Sequence, residues 1–207
     1  KRFCVDIDYF ETYNRDNVAL VDVGDNPIES ISPTGVRAHG HDFEIDALVI
    51  ATGFDAMTGA LTRVDIRGRG DASLAERWAD GPSSYLGLAM VDFPNLFTVT
   101  GPGSPSVFSN MLPTIEQHVD WIAECLGHAK SKGYRTIEAE ADAEKAWWDH
   151  HQELGNVGLK SVADSWYVGA NVAGKARVFL PYYGGIPAYF KKCEDVVANG
   201  YEGFAFG

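Results

Sequence analysis

The stretch Leu96-Phe97-Thr98-Val99-Thr100-Gly101-Pro102-Gly103-Ser104-Pro105-Ser106 decides how the chain reads. Its first five residues predict an apolar strand, and the glycine- and proline-rich run behind them excludes regular structure. Helical spacing starts just after it. Met111, Ile115, Val119, Ile122 and Leu126 fall on one stripe, Asn110 is placed as N-cap, and Pro113 is tolerated in the first turn. Strand, glycine-rich loop and helix in that order let backbone approach a ligand closely, with a helix N-terminus to receive an electron-rich group. The same run also reads as a tight turn ahead of a core helix. It is no recognised phosphate loop, because neither Gly-x-Gly-x-x-Gly nor Gly-x-x-x-x-Gly-Lys-Ser/Thr occurs in the chain.

Upstream, Val18–Val23, Ile28–Ile31, Val36–Ala38 and Phe43–Ala51 alternate with turn residues and predict a small antiparallel meander. Its last run, Ala47-Leu48-Val49-Ile50-Ala51, lacks alternation, as in a strand covered on both faces, and Gly53 ends it. Downstream, a helix is expected over about 139–154 with acids near its N-terminus. A glycine-flanked irregular stretch follows as far as Tyr183, then a helix over about 187–198 that stops at Asn199-Gly200. Trp121, Trp147 and Trp148 read as core. Trp166, in the irregular stretch, is a better candidate for ligand contact.

The 207 residues carry 17 Lys+Arg against 29 Asp+Glu, a net charge of −12, with no basic block; nucleic acid and anionic membrane are therefore poor partners. No apolar run nears the roughly 20 residues of a membrane span, and the three widely spaced cysteines read as free thiols in a reducing, cytoplasmic setting. His39 and His41 could chelate, but in a short turn they also read as solvated tips, and no metal site is expected. No nucleophile elbow supports hydrolysis. The opening Lys1-Arg2, without Met, reads as a processed or truncated start.

Several blocks together resemble the Baeyer-Villiger monooxygenases of the phenylacetone, steroid and cyclohexanone type. They are Lys1-Arg2 with Tyr9-Phe10-Glu11-Thr12 and Asn14-Arg15, Asp46 to Asp55, Gly101 to Ser106 with Ser109-Asn110-Met111, Ser165 to Val172, Gly174-Lys175, Gly184-Gly185 and Gly200-Tyr201-Glu202-Gly203. The resemblance implies an α/β fold, the C-terminal part of a flavoprotein with two Rossmann-like dinucleotide-binding domains for FAD and NADPH. Residues 1–54 would end the NADPH domain and 55–207 would form the C-terminal part of the FAD domain, with a mobile loop at about 152–168. The fingerprint loops would lie upstream, so the segment alone is expected to be inactive and unable to hold FAD.

The implied reaction inserts one oxygen atom of dioxygen beside a ketone carbonyl, giving an ester or lactone, with NADPH as reductant. Arg2 would be the catalytic residue, its guanidinium a fixed positive charge beside the developing oxyanion. Lys1, Thr52, Gly53, Gly101, Met111 and Trp166 would contact the cofactors, and Ser106, Val107, Phe108 and Met111 would line the substrate pocket. Two alternatives stay open: a related flavin enzyme oxygenating nitrogen or sulfur, and a non-catalytic C-terminal fragment that docks to a separate N-terminal half.

Overall fold

The computed structural model describes residues 5–207, which divide into two compact units, one ending at Thr52 and one running from Gly53 to Gly207.

The first unit holds a single-turn helix α1 (Tyr9–Thr12) and an antiparallel meander of β1 (Ser30–Ser32), β2 (Gly35–Ala38) and β3 (His41–Glu44). Ser32 pairs with Gly35 and Ala38 with His41, which leaves two-residue turns. His39 and Gly40 both have positive φ, 52° and 72°, the mirror-image turn whose twist matches a hairpin. The expected meander is present, but two of its expected strands are not. Val18–Val23 and Ala47–Ala51 form no strand, and Val49 and Ile50 are 85% and 74% exposed. A two-faced buried strand needs a paired neighbour and cover on both sides, and no described residue of this unit supplies either. Among them only Ala38 is buried.

The second unit contains α2 (Gly59–Thr62), α3 (Leu74–Arg77), α4 (Met111–Lys132), β4 (Ile137–Ala139), α5 (Ala141–Gly155), α6 (Ile186–Ala198) and β5 (Phe204–Phe206), with β4 and β5 antiparallel. Asn110 caps α4 as expected, its side chain accepting from the Leu112 N–H at 3.1 Å, and Gly133 at φ 78° ends the helix. The main core joins Trp121 and Cys125 of α4, Trp147 of α5 and Tyr189, Cys193 and Val196 of α6 to Tyr85, Leu86 and Leu88. Trp121 and Trp147 are core, whereas Trp148 is only partly covered. A smaller cluster of Leu74, Trp78, Met90 and Phe93 sits beneath α3.

Two expectations need correction here. Leu96–Thr100 is not a strand, because its amides find scattered partners and no ladder: Leu96 donates to the Phe93 carbonyl, Thr98 to the Leu88 carbonyl, and Thr100 to a histidine ring. The buried face of α4 is Thr114, His118, Trp121, Cys125 and Ala129, while Met111, Val119 and Leu126 on the predicted stripe are 39%, 50% and 49% exposed. Both stripes have helical period, and the polar Thr and His disguised the inner one.

Candidate functional site

The loop Gly101–Ser106 is buried throughout and clamped from three directions. Ser84 Oγ donates to the Pro102 carbonyl at 2.6 Å, Trp147 Nε1 to the Gly103 carbonyl at 3.1 Å, and the Tyr182 N–H to the Ser104 carbonyl at 2.9 Å. Glycine is required where this loop meets the turn at 85–89. A Cβ on Gly101 would lie 2.4 Å from Thr98 Oγ1 and 2.7 Å from the Gly87 carbonyl oxygen, and one on Gly87 would lie 2.5 Å from Ser104 Cβ. The bareness of Gly101 is thus already used by the protein's own packing. Gly53, by contrast, has φ +88° and open space where a Cβ would stand.

Beyond the loop, Ser106 Oγ donates to Met57 Sδ at 3.6 Å, and Phe108 enters an aromatic cluster with Tyr167, Phe179 and Tyr183 at ring separations of 5.0, 6.1 and 5.1 Å. Val107 and Trp166 pack against the same cluster, Trp166 edge-on to Tyr167 at 4.4 Å. Val107, Phe108 and Trp166, read from the sequence as parts of two different sites, therefore share one wall. Ser106 and Gly101 stand in the loop beside it, whereas Met111 is on the exposed first turn of α4. Thr52 is exposed in the other unit. Lys1 and Arg2 lie outside the described residues.

Several residues given no site role in the sequence reading lie on or near this stretch of the second unit. Lys160 Nζ sits 4.3 Å from the Phe108 ring centre and 4.6 Å from that of Tyr183, a cation between two π faces. Lys175 pairs with Asp55 and donates to the Ala56 carbonyl at 3.1 Å, and Asn171 Nδ2 donates to the Phe54 carbonyl at 2.9 Å, tying 171–175 to the residues after Gly53. His151 Nε2 donates to the Phe179 carbonyl at 2.7 Å. Burial lowers the pKa of His151 and of His118 to about 4, so both are neutral near pH 7. Burial also pushes the thiols of Cys125 and Cys193 up to about 12 and about 11, which leaves them unreactive.

An aromatic-walled cavity of about 620 Å³ opens between α5 and α6, lined by Tyr85, Trp147, Leu154 and Tyr182. None of the predicted site residues reaches it. Among the described residues no cluster of His, Cys, Asp or Glu could hold a metal ion, and no helix is long and apolar enough to cross a membrane.

The chain is 44% identical over 206 residues to an acetone monooxygenase (methyl acetate-forming) of Gordonia sp. (strain TY-5), covering 99% of this chain and 39% of that one. A Baeyer-Villiger monooxygenase of Pseudooceanicola batsensis is 40% identical over 194 residues, covering 93% and 35%. The chain is a homologue of Baeyer-Villiger monooxygenases. It spans well under half the length of these curated relatives. Among solved structures, a closed form of cyclohexanone monooxygenase matches with a TM-score of 0.94 at 41% identity, over all of this chain and 39% of that one. A steroid monooxygenase bound to NADP matches at 0.86 and 45%, again over all of this chain and 39% of the other. A phenazine N-monooxygenase of Lysobacter antibioticus is also similar, 42% over 198 residues, covering 95% and 36%. No family model matches the chain.

Proposed function

We propose that this chain is the C-terminal segment of an FAD- and NADPH-dependent Baeyer-Villiger monooxygenase that converts a ketone and dioxygen to an ester or lactone in the cytoplasm. The observation that carries the reading is similarity along 99% of the chain, at 44% identity, to a ketone-oxygenating relative. Residues up to 54 end the NADPH-binding domain and residues from 55 form the C-terminal part of a Rossmann-like FAD-binding domain. Bound flavin supplies the electron transfer and activation of dioxygen that no amino-acid side chain provides.

The residues present suit a rim better than a cradle. Open space beside Gly53 and the aromatic wall at Val107, Phe108 and Trp166 fit flat rings, but no glycine fingerprint is present to hold the phosphates. In this reading Trp166 and Lys1 contact the nicotinamide cofactor. Thr52, Gly53, Gly101 and Met111 border the cofactors, and Ser106, Val107, Phe108 and Met111 shape the ketone pocket. The guanidinium of Arg2 keeps its charge at any working pH and stabilises negative charge developing on the carbonyl oxygen.

The test is turnover by the complete polypeptide carrying this segment, given NADPH, FAD, air and a panel of linear and cyclic ketones. Ester or lactone is expected, and NADPH consumption with no ester from any ketone overturns the reading. The similarity to a phenazine N-monooxygenase favours nitrogen oxygenation as a second reading, separated by product analysis with a phenazine, a thioether and a ketone side by side. If the segment instead acts as a separate piece, mixing it with an N-terminal half restores flavin binding.

A further inference from the structure

The backbone is left-handed at two non-glycine positions on facing turns of the second unit, Leu86 at φ 58° and Thr100 at φ 53°. For a β-branched residue such as Thr100 this conformation is strained and persists only where the surroundings impose it. Both positions are bonded to the same pair of buried side chains. The Thr100 N–H donates to His118 Nδ1 at 2.9 Å, His118 Nε2 lies 2.8 Å from Tyr189 Oη, and Tyr189 Oη lies 2.6 Å from the Leu86 carbonyl oxygen. A backbone N–H can only donate, so Nδ1 carries a lone pair and the neutral ring carries its proton on Nε2. That N–H donates to Tyr189 Oη, and the tyrosine hydroxyl donates in turn to Leu86. The three bonds run in one direction, from the Thr100 amide through the ring and the hydroxyl to Leu86, with the Cys193 thiol a further neighbour of the tyrosine hydroxyl. Burial without an acidic neighbour keeps the ring neutral, which this direction requires.

We propose that His118, in its Nε2–H tautomer, is the positioning residue of the glycine-rich loop, joining Thr100 at the loop's entry to Leu86 through Tyr189 and so fixing where Ser106 to Phe108 stand. The consequence for catalysis rests on the monooxygenase reading, because it is there that the loop borders flavin and ketone. The latch itself does not.

Two substitutions of similar size divide the relay. In His118→Asn the amide oxygen falls where Nδ1 was and still accepts from Thr100, while in His118→Gln the longer side chain reaches Tyr189 and abandons Thr100. Nitrogen-15 NMR of the 207-residue chain should show His118 as the neutral Nε2–H tautomer from pH 5.5 to 8; the other tautomer or an imidazolium at pH 6.5 overturns the proposal. Amide exchange at Thr100 should stay near wild type in H118N and accelerate about tenfold or more in H118Q, as loss of one buried hydrogen bond implies. Equal acceleration in both variants would mean that His118 only fills space. Should H118Q fail to fold, Tyr189→Phe keeps the ring and removes the relay, and must release the Leu86 turn. In the complete flavin-loaded protein, H118Q should form less ester per NADPH than H118N. Absence of ester from every ketone with the NMR pattern intact sinks the function and leaves the latch, and ester formation without the Asn/Gln split does the reverse.

Discussion

Residues 5–52 and 53–207 have comparable proportions of apolar side chains, yet they hold them in opposite ways. In the second unit the large rings are inside: Trp121, Trp147 and Tyr189 are no more than 5% exposed, and the backbone of the glycine-rich loop is clamped on three sides. In the first, a complete ladder of β1, β2 and β3 is present while Ile31 is 62% and Phe43 37% exposed. Hydrogen bonds satisfy a sheet without stabilising it much, since each replaces a bond to water. Burial of apolar surface is what separates the two regions, at roughly 25 cal/mol per Å².

All five tryptophans lie in residues 53–207, so their fluorescence reports that unit alone. Acid should produce the largest effect there. His118 and His151 are lowered by burial to about 4 from an ordinary 6.5. Between those values the unfolded chain binds protons that the folded chain refuses. Stability is therefore full above pH 6.5 and falls as the pH drops toward 4, by about 3 kcal/mol for each histidine. Urea unfolding followed by tryptophan emission at pH 7.5 and 4.5 tests this, and equal midpoints would refute it.

Trp147→Ala should cost about 4 kcal/mol, because it empties core volume and strands the Gly103 carbonyl; thermal unfolding measures it. Glu144→Ala should cost about 3 kcal/mol. Its carboxylate takes the Val91 N–H at 2.7 Å, the Ser83 hydroxyl and the Arg77 guanidinium at 2.9 Å; the change removes the acceptor of the first two and leaves Arg77 with Asp92 at 3.8 Å. At the other extreme, Ile31→Ser in the meander should change stability by less than about 0.5 kcal/mol, read by amide exchange in β1 to β3. A large loss there would show that the meander has a core of its own and would collapse the contrast.

Elements whose signals are local were readable in the sequence. The Asn110 cap, the α5 and α6 boundaries, the Asn199-Gly200 stop and the meander turns depend on residues a few positions apart. What escaped depends on distant neighbours. Apolar runs at 47–51 and 96–100 look like strands, but a strand exists only where a second one pairs with it. The inner face of α4 was hidden because His118 and Thr114 count as polar until their partners, the Thr100 amide and the Pro105 carbonyl, are known. The wall shared by Phe108 and Trp166 joins residues far apart in the chain, and its Lys160 has no sequence signature. Gly53, Gly101 and Trp166 stood out through glycine chemistry and the resemblance, while Thr52 and Met111 rest on the resemblance alone.

The contact of the 85–89 turn with the glycine-rich loop has a meaning for how such a chain can diversify. A Cβ at 87 would collide with Ser104, one at 101 with Gly87, and Gly87 has φ +71° besides. Neither position can drift by single steps, and enlarging Ser104 requires both turns to change together. Variation along this stretch is thereby channelled to the residues just beyond, Val107 and Phe108, which pack in the aromatic cluster and stand clear of that joint.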